Sequence, residues 1–448
     1  MVKIAELFAS NVPRYTSYPT APHFHAGING NVYRDWLAEL PPDMPLSLYF
    51  HIPFCDTLCW FCGCHTTVVN NYTPVREYLT VLFEEIRLAA AALGRRHPVR
   101  HIHWGGGSPT ILEPADIERL NGTIRDHFNV LGEAEFAIEI DPRGLSSATV
   151  KALANAGVTR ASIGLQDCNI AVQQAINRIQ TDEETLTALD MLKSAGIASL
   201  NLDLVYGLPR QNLESWEATM DFALWLNPDR LAIFGYAHVP KFKKHQALIP
   251  QNLLPDVEDR FHMAEFAWRL ACDHGYVAIG LDHFAKRHDT LAEAAKAGRL
   301  ARNFQGYTTD NAPALFGFGA SAIGSLPQGY VQNAPAVPIY RAMVEAGRLP
   351  IMRGIALTDQ DRMHRSVIER LMCDLKVDLK KIARQFGRDP EVFSESLEAL
   401  TPLVRKGVVE TAGQSVVVDP QWRSAVRLVA AAFDEYLLRQ NAVHSVAV

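Results

Sequence analysis

Between residues 46 and 325, short apolar runs recur along the chain, and a stretch of helical periodicity follows most of them. LSLYFHI (46–52), HIHWG (101–105), EFAIEID (135–141), RASIGL (160–165), LNLDLVYG (200–207) and RLAIFGY (230–236) read as strands, with VAIGL (277–281) a weaker seventh. Between the first two lies a helix over 74–93. Thr73 stands where an N-cap belongs, Pro74 suits the first helical position, and Gly94 can end the helix. Strands alternating with helices imply parallel β-α units, in an open sheet or a barrel. The polar residues of interest sit at or just after strand C-terminal ends, where barrels of this kind place their chemistry.

From about residue 357 the pattern becomes helical. TDQDRMHRSVIERLMC, VDLKKIARQFG and PEVFSESLEALTPLVRKG read as helices, followed by a hairpin-like pair, VVET and SVVVD, and a last helix. This order resembles a winged-helix module. A DNA reader carries a basic face, yet residues 357–448 hold 13 Lys/Arg against 13 Asp/Glu. A structural or substrate-covering role is therefore expected over DNA binding. The four expected segments are an N-terminal arm (1–45), a β/α barrel (46–325), a connecting segment (326–356) and a C-terminal helical domain (357–448). The tail QNAVHSVAV carries no readable pattern, and the chain shows no internal repeat.

Length and composition agree with that division. The 448 residues exceed one ordinary core. Hydrophobic residues at 48% and charged residues at 21% suit a globular enzyme. A net charge of −6 disfavours nucleic acid as main partner. No apolar stretch reaches membrane-spanning length, and the first residues lack a secretory signal, so a cytoplasmic protein is expected.

Seven cysteines are present, four of them between residues 55 and 64. Cys168, Cys272 and Cys373 are scattered and read as small buried hydrophobes. Cys55, Cys59 and Cys62 form C-x3-C-x2-C in a loop directly after the first strand. Three thiolates can hold three irons of a 4Fe-4S cubane and leave the fourth open. That iron can chelate S-adenosylmethionine (SAM), whose reductive cleavage yields a 5′-deoxyadenosyl radical. Two other readings are a zinc site and an electron-transfer cluster closed by Cys64. Zinc usually takes two separated ligand pairs, and Cys64 lies awkwardly close to Cys62 for both to bind one cubane. Trp60 and Phe61 could shield a cluster, flank an adenine or pack in the core.

Gly105-Gly-Gly107-Ser108-Pro109-Thr110 follows the second strand, either as a tight turn or as a backbone edge for the SAM amino group. In EFAIEID, Glu139 and Asp141 share one face. Inward carboxylates are costly unless bound. They could hold a ribose hydroxyl or an ammonium, or be spent on an arginine such as Arg143. Asp203 and Gln166 pose the same choice. His51, His101, His103, His238 and His283 lie near strand ends, and each reads as structural before catalytic.

RYTSYPTA (14–21), the cysteine loop, GGGSPT, EIDPR, GLQD, NRIQ (177–180), DLVYGLPRQ, YAH (236–238), DHF (282–284) and NFQGYT (303–308) occur in that order. Together they resemble the oxygen-independent coproporphyrinogen III oxidase family of haem biosynthesis, from about residue 10 to the C-terminus. The resemblance implies an incomplete parallel (β/α)6-type radical SAM barrel. It also implies conversion of two propionates of coproporphyrinogen III to vinyl groups. Cys55, Cys59 and Cys62 would be the cluster ligands, with Cys64 outside the shell. Two SAM molecules are implied. Tyr49, Gly106, Glu139 and Ile323 match the positions for the first. Phe61, Gly107, Ser108, Gln166, Arg178, Asp203 and Ala237 match those for the second. Ser108 stands where threonine is common; both offer a hydroxyl. The substrate carries four propionates, so cationic residues should line its entry, with Arg14, Arg178 and Lys241 as candidates. An electron donor, an unidentified electron acceptor and a monomeric state complete the expectation. A radical SAM methyltransferase or a haem-trafficking relative acting on another tetrapyrrole is the competing reading; the RYTSYPTA arm and NFQGYTT favour the oxidase.

Overall fold

The six expected strands form β1 (Leu46–Ile52), β2 (Pro98–Gly106), β3 (Asn129–Ile140), β4 (Arg160–Gln166), β5 (Ser199–Tyr206) and β6 (Arg230–Gly235). Each pairs in parallel with the next. The structure, a computed structural model, describes residues 4–8 and 12–437; the tail QNAVHSVAV lies outside them. Alternation along each strand decides which face is which. Leu46, Leu48, Phe50 and Ile52 of β1 are buried in one core with Tyr78, Leu79, Leu82 and Ile86 of helix Thr73–Leu93. Ser47, Tyr49 and His51 therefore point to the other, inner face. On β3, Phe136, Ile138 and Ile140 join the outer core, and Glu139 faces inward. The inner face is consequently polar, and the register sets His51 beside Gly105, and Glu139 beside Ser162 and then Asn201.

The seventh parallel strand is not VAIGL. Tyr276–Ile279 does form a strand, but it pairs antiparallel with His283–Lys286, which pairs antiparallel with β6. The place beside β1 is taken by Ala314–Phe318, in parallel. Three antiparallel strands, Ile323–Leu326, Gly329–Asn333 and Ile351–Ala356, continue the sheet from there to twelve strands. Residues 326–356 thus do more than connect: two strands and helix Val337–Glu345 come from them. Thr73 is not a cap either. It is the first helical residue, its N–H is accepted by Asn71 Oδ1 at 3.1 Å, and Tyr72 precedes it without a side-chain cap. Gly94 closes this helix at φ 69°, a conformation that suits glycine.

Helix Asp359–Asp374, helix Leu379–Gln385 and a three-stranded sheet (Lys376–Asp378, Ser415–Val418, Val409–Ala412) form the C-terminal region. The helix expected over 390–407 is split into three short pieces, one of which starts at Thr401 with Pro402 in its first turn. The N-terminal arm ties this region to the barrel. Tyr15 and Tyr18 lie in its apolar core, and the Tyr15 hydroxyl donates to Asp434 at 3.0 Å. Arg14 donates to the Gly235 carbonyl at the end of β6, at 3.1 Å.

Glu85, on helix Thr73–Leu93, is a buried carboxyl far from the inner face. It accepts from Gly319 N–H, Asn333 and Tyr340 at 2.6–2.7 Å and so pins the outer helix to the turn after Ala314–Phe318. Burial nonetheless pushes it up to about 7 from 4.5. The folded chain then holds this proton more tightly than the unfolded one. Its contribution is full below pH about 4.5 and is lost as pH rises toward 7, a change of about 3 kcal/mol. The melting temperature of the Glu85→Gln protein should fall less than that of the wild type between pH 5 and 8. Parallel pH curves for the two proteins would contradict this account.

Candidate active site

One cavity of about 540 Å³ opens at the C-terminal ends of β1 to β6. Cys55, Cys59 and Cys62 lie in its wall, in the loop after β1. Cys59 is buried, and its Sγ is approached at 3.6 Å by guanidinium nitrogens of both Arg143 and Arg178. Cys55 Sγ lies 3.0 Å from the Thr66 hydroxyl. Cys64 lines the same cavity; its N–H donates to Cys62 Sγ at 3.4 Å, and a hydrogen bond from its thiol to that sulfur lowers Cys62 to about 6. Among the described residues no three Cys, His, Asp or Glu side chains converge tightly enough for a single metal ion. The thiols instead border a hollow with room for a larger group. This donor set fits a polynuclear cluster better than a zinc ion.

Facing the thiols across the cavity are the glycine run and the inner-face carboxylates. Glu139 Oε2 accepts the Gly106 N–H at 3.0 Å, and Oε1 stands 3.3 Å from His103 Nε2. A Cβ on Gly105 would lie 2.6 Å from Glu139 Oε1, so glycine is what admits the carboxylate. Gly106 itself has φ +117°, and a Cβ there would meet the His51 ring at 2.6 Å. Burial acts to raise the Glu139 carboxyl, but His103, the Gly106 N–H and His51 outweigh it and keep the group below the usual value. Asp203 differs: it accepts from Ser162 at 2.8 Å and Asn201 at 2.7 Å, yet burial lifts it to about 6.

Of the expected site residues, Phe61, Gly106, Gly107, Ser108, Glu139, Gln166, Arg178, Asp203 and Ala237 line this cavity with the three cysteines. Tyr49 and Ile323 do not line it. Tyr49 donates to or accepts from His51 Nδ1 at 3.0 Å, deeper in the barrel. Its register partner is Gly317, where a Cβ would lie 2.6 Å from the Ile323 carbonyl oxygen. Ile323 backbone therefore covers the inner face beside Tyr49. Asp141 takes the arginine alternative, paired with Arg143 at 2.6 Å and Arg178 at 3.1 Å. Arg178 is thereby largely committed, donating also to the Gly164 carbonyl at 2.8 Å. Trp60 packs with Val172 and Ile176, whereas Phe61 reaches the cavity.

The histidines have ordinary partners: His51 with the His65 carbonyl, His101 near Asp310, His238 with Tyr236, and His283 with Asp282. Cys373 is buried; Cys168 and Cys272 are half-buried. Lys241 is exposed and lines neither this cavity nor the larger one beside it. Ser162, Gly164, Tyr236 and Gln246 line the site without having been expected there. Ser162 was detectable, since it alternates with the outward Ala161 and Ile163 on β4.

Comparison with known proteins places these features in a group. Residues 49–223 match the radical SAM superfamily, and residues 357–421 match the HemN C-terminal domain. Oxygen-independent coproporphyrinogen III oxidase of Bradyrhizobium diazoefficiens is 48% identical over 98% of this chain and 97% of that protein. The protein of that name from Paracoccus denitrificans is 44% identical over 99% and 98%. The solved structure of coproporphyrinogen III oxidase from Escherichia coli, described as a radical SAM enzyme, superposes with a TM-score of 0.90. It is 37% identical, over 95% of this chain and 100% of that one.

Proposed function

The chain belongs to the oxygen-independent coproporphyrinogen III oxidase family of radical SAM enzymes, and we propose on that premise that it converts coproporphyrinogen III to protoporphyrinogen IX without oxygen. Two propionate side chains are oxidatively decarboxylated to vinyl groups. The observation that carries this reading is the single cavity that gathers three loop thiols, the glycine edge and the inner carboxylates. The relatives above, all coproporphyrinogen III oxidases, favour this reading over a methyltransferase or a haem-trafficking protein.

Cys55, Cys59 and Cys62 are assigned to three irons of a 4Fe-4S cluster. When bound, the cluster and SAM supply a 5′-deoxyadenosyl radical that can take hydrogen from unactivated carbon. The chain's own residues bind and orient. Glu139, ionised and set against the Gly106 N–H, offers an acceptor to an ammonium or ribose hydroxyl, with Tyr49 and Ile323 behind it. Asp203, Gln166, Gly107, Ser108 and Ala237 are assigned to a second SAM, with Phe61 supplying an apolar wall. Arg178 belongs to that group through its place at Asp141 and Cys59.

Each propionate loses one hydrogen atom, carbon dioxide and one electron. An electron donor must therefore reduce the cluster, and a separate acceptor must take the substrate's electron. Among the described residues, no helix is long and apolar enough to cross a membrane. We assign the chain to the cytoplasm, as a monomer without a nucleic-acid partner. The deciding experiment is anaerobic. Reconstituted protein with SAM, a reductant, an electron acceptor and coproporphyrinogen III should release carbon dioxide and form vinyl groups. A methylated product, or haem binding without turnover, would refute the reading.

A further inference from the structure

Beside the cluster cavity lies a second, of about 750 Å³, within the size range of ligand sites, roughly 300–1,000 Å³. The two share Arg14, Cys64 and the stretch Phe234–Ala237. Arg14, Arg260, Arg302, Arg423 and Arg427 converge on the second cavity, and they come from four separate parts of the chain. The acidic side chains in its wall are Asp256, Glu265 and Asp282, and Asp282 is already engaged by His283 at 2.7 Å. The lining therefore carries an excess of positive charge.

Three of these guanidiniums are incompletely satisfied. Arg423 is 8% exposed and its Nε has no hydrogen-bond partner among the described residues; its guanidinium lies over the Trp268 ring at 5.7 Å. Among the described residues, Arg302 leaves Nε and Nη1 without partners, and Arg260 leaves Nε. Burial, together with mutual repulsion, lowers Arg260 and Arg427, the latter to about 10. A buried charge without a counter-ion costs several kcal/mol. Several positive charges around a hollow make sense where an anion fills it. Trp268, Phe284 and Phe304 add apolar wall between the arginines. The chamber thus suits a ligand with an apolar ring and carboxylates at its rim.

We propose that Arg302 and Arg423, with Arg260 beside them, hold the propionates that the enzyme leaves intact. Arg14, in the wall common to both cavities, steers the reacting propionates toward the cluster side. This rests on the tetrapyrrole reading of the cluster cavity. It also gives the arm and the C-terminal region a common role, because Arg14 and Arg423 reach one ligand from opposite ends of the chain.

The test is binding of coproporphyrin III, followed by fluorescence quenching, to anaerobic holoenzyme and its Arg423→Gln, Arg302→Gln and Arg423→Lys variants. Each Gln variant should raise Kd roughly tenfold, as expected for a lost charge-assisted hydrogen bond. Arg423→Lys should recover part of the loss. Wild-type binding should weaken with salt, while SAM affinity in the neighbouring cavity stays the same, which a folding defect would not allow. Unchanged Kd in both Gln variants, or no binding by the wild type, overturns the proposal. Weakened binding in the variants of a wild-type protein that shows no decarboxylation would sustain the chamber and refute the reaction.

Discussion

Cys59→Ala abolishes the visible iron–sulfur absorbance of the reconstituted protein, and decarboxylation with it; that is the expected result. Cys59 is the buried member of the three cavity thiols, and two guanidiniums lie 3.6 Å from its sulfur. A thiolate there is the natural counter-charge for them. Alanine removes both an iron ligand and that charge, and two remaining thiolates cannot hold a cubane. Cys64→Ser is the comparison. Cys64 lines the same cavity but is tied to Cys62 through its own N–H. Serine should leave most of the absorbance. Loss of the cluster in Cys64→Ser, or its retention in Cys59→Ala, would reassign the ligands; iron analysis and the visible spectrum read both.

The barrel was legible because apolar runs recur along the chain with helical stretches between them, and because β1 and the C-terminal half of β3 alternate. Leu46, Leu48, Phe50 and Ile52 could face only an apolar layer, which leaves Tyr49 and His51 inside. The same alternation put Glu139 and Asp141 on one inner face, but it could not say how each would be used. Glu139 lies against a glycine that admits it, whereas Asp141 is followed two residues later by Arg143, whose guanidinium folds back on it. Local geometry of that kind is not encoded in periodicity. Strand Ala314–Phe318 escaped notice because Gly317 interrupts its apolar pattern and no helical stretch leads into it. The chamber arginines were less legible still. Arg14 is a candidate only because the substrate implied by the resemblance carries four propionates, and nothing along the chain links it to Arg302 or Arg423. Only the docking of arm and C-terminal region onto the barrel mouth brings them together.

Asp141→Asn should be among the most destabilising single changes at the site. Asp141 holds two guanidiniums at once, Arg143 at 2.6 Å and Arg178 at 3.1 Å. Burial alone would raise its carboxyl, but Arg143 and Arg178 reverse the effect and keep it ionised. The amide keeps the shape and loses the charge. Arg178, with 8% side-chain exposure, then loses its carboxylate partner among the described residues and keeps only the Gly164 carbonyl and the Cys59 sulfur. Breaking one side of a buried pair costs about 3–5 kcal/mol. Asp141 and Arg143 are about one-fifth exposed, which points to the lower end, about 3 kcal/mol. Denaturant unfolding of the cluster-free proteins measures this without depending on activity. A second readout follows from the same charges. Both guanidiniums also face Cys59, so removing their shared carboxylate leaves more net positive charge beside that sulfur. In protein that still takes up iron, the cluster should be easier to reduce, with a less negative midpoint potential. A small stability change together with an unmoved potential would show that the Asp141 pair neither anchors Arg178 nor sets the field at the thiols.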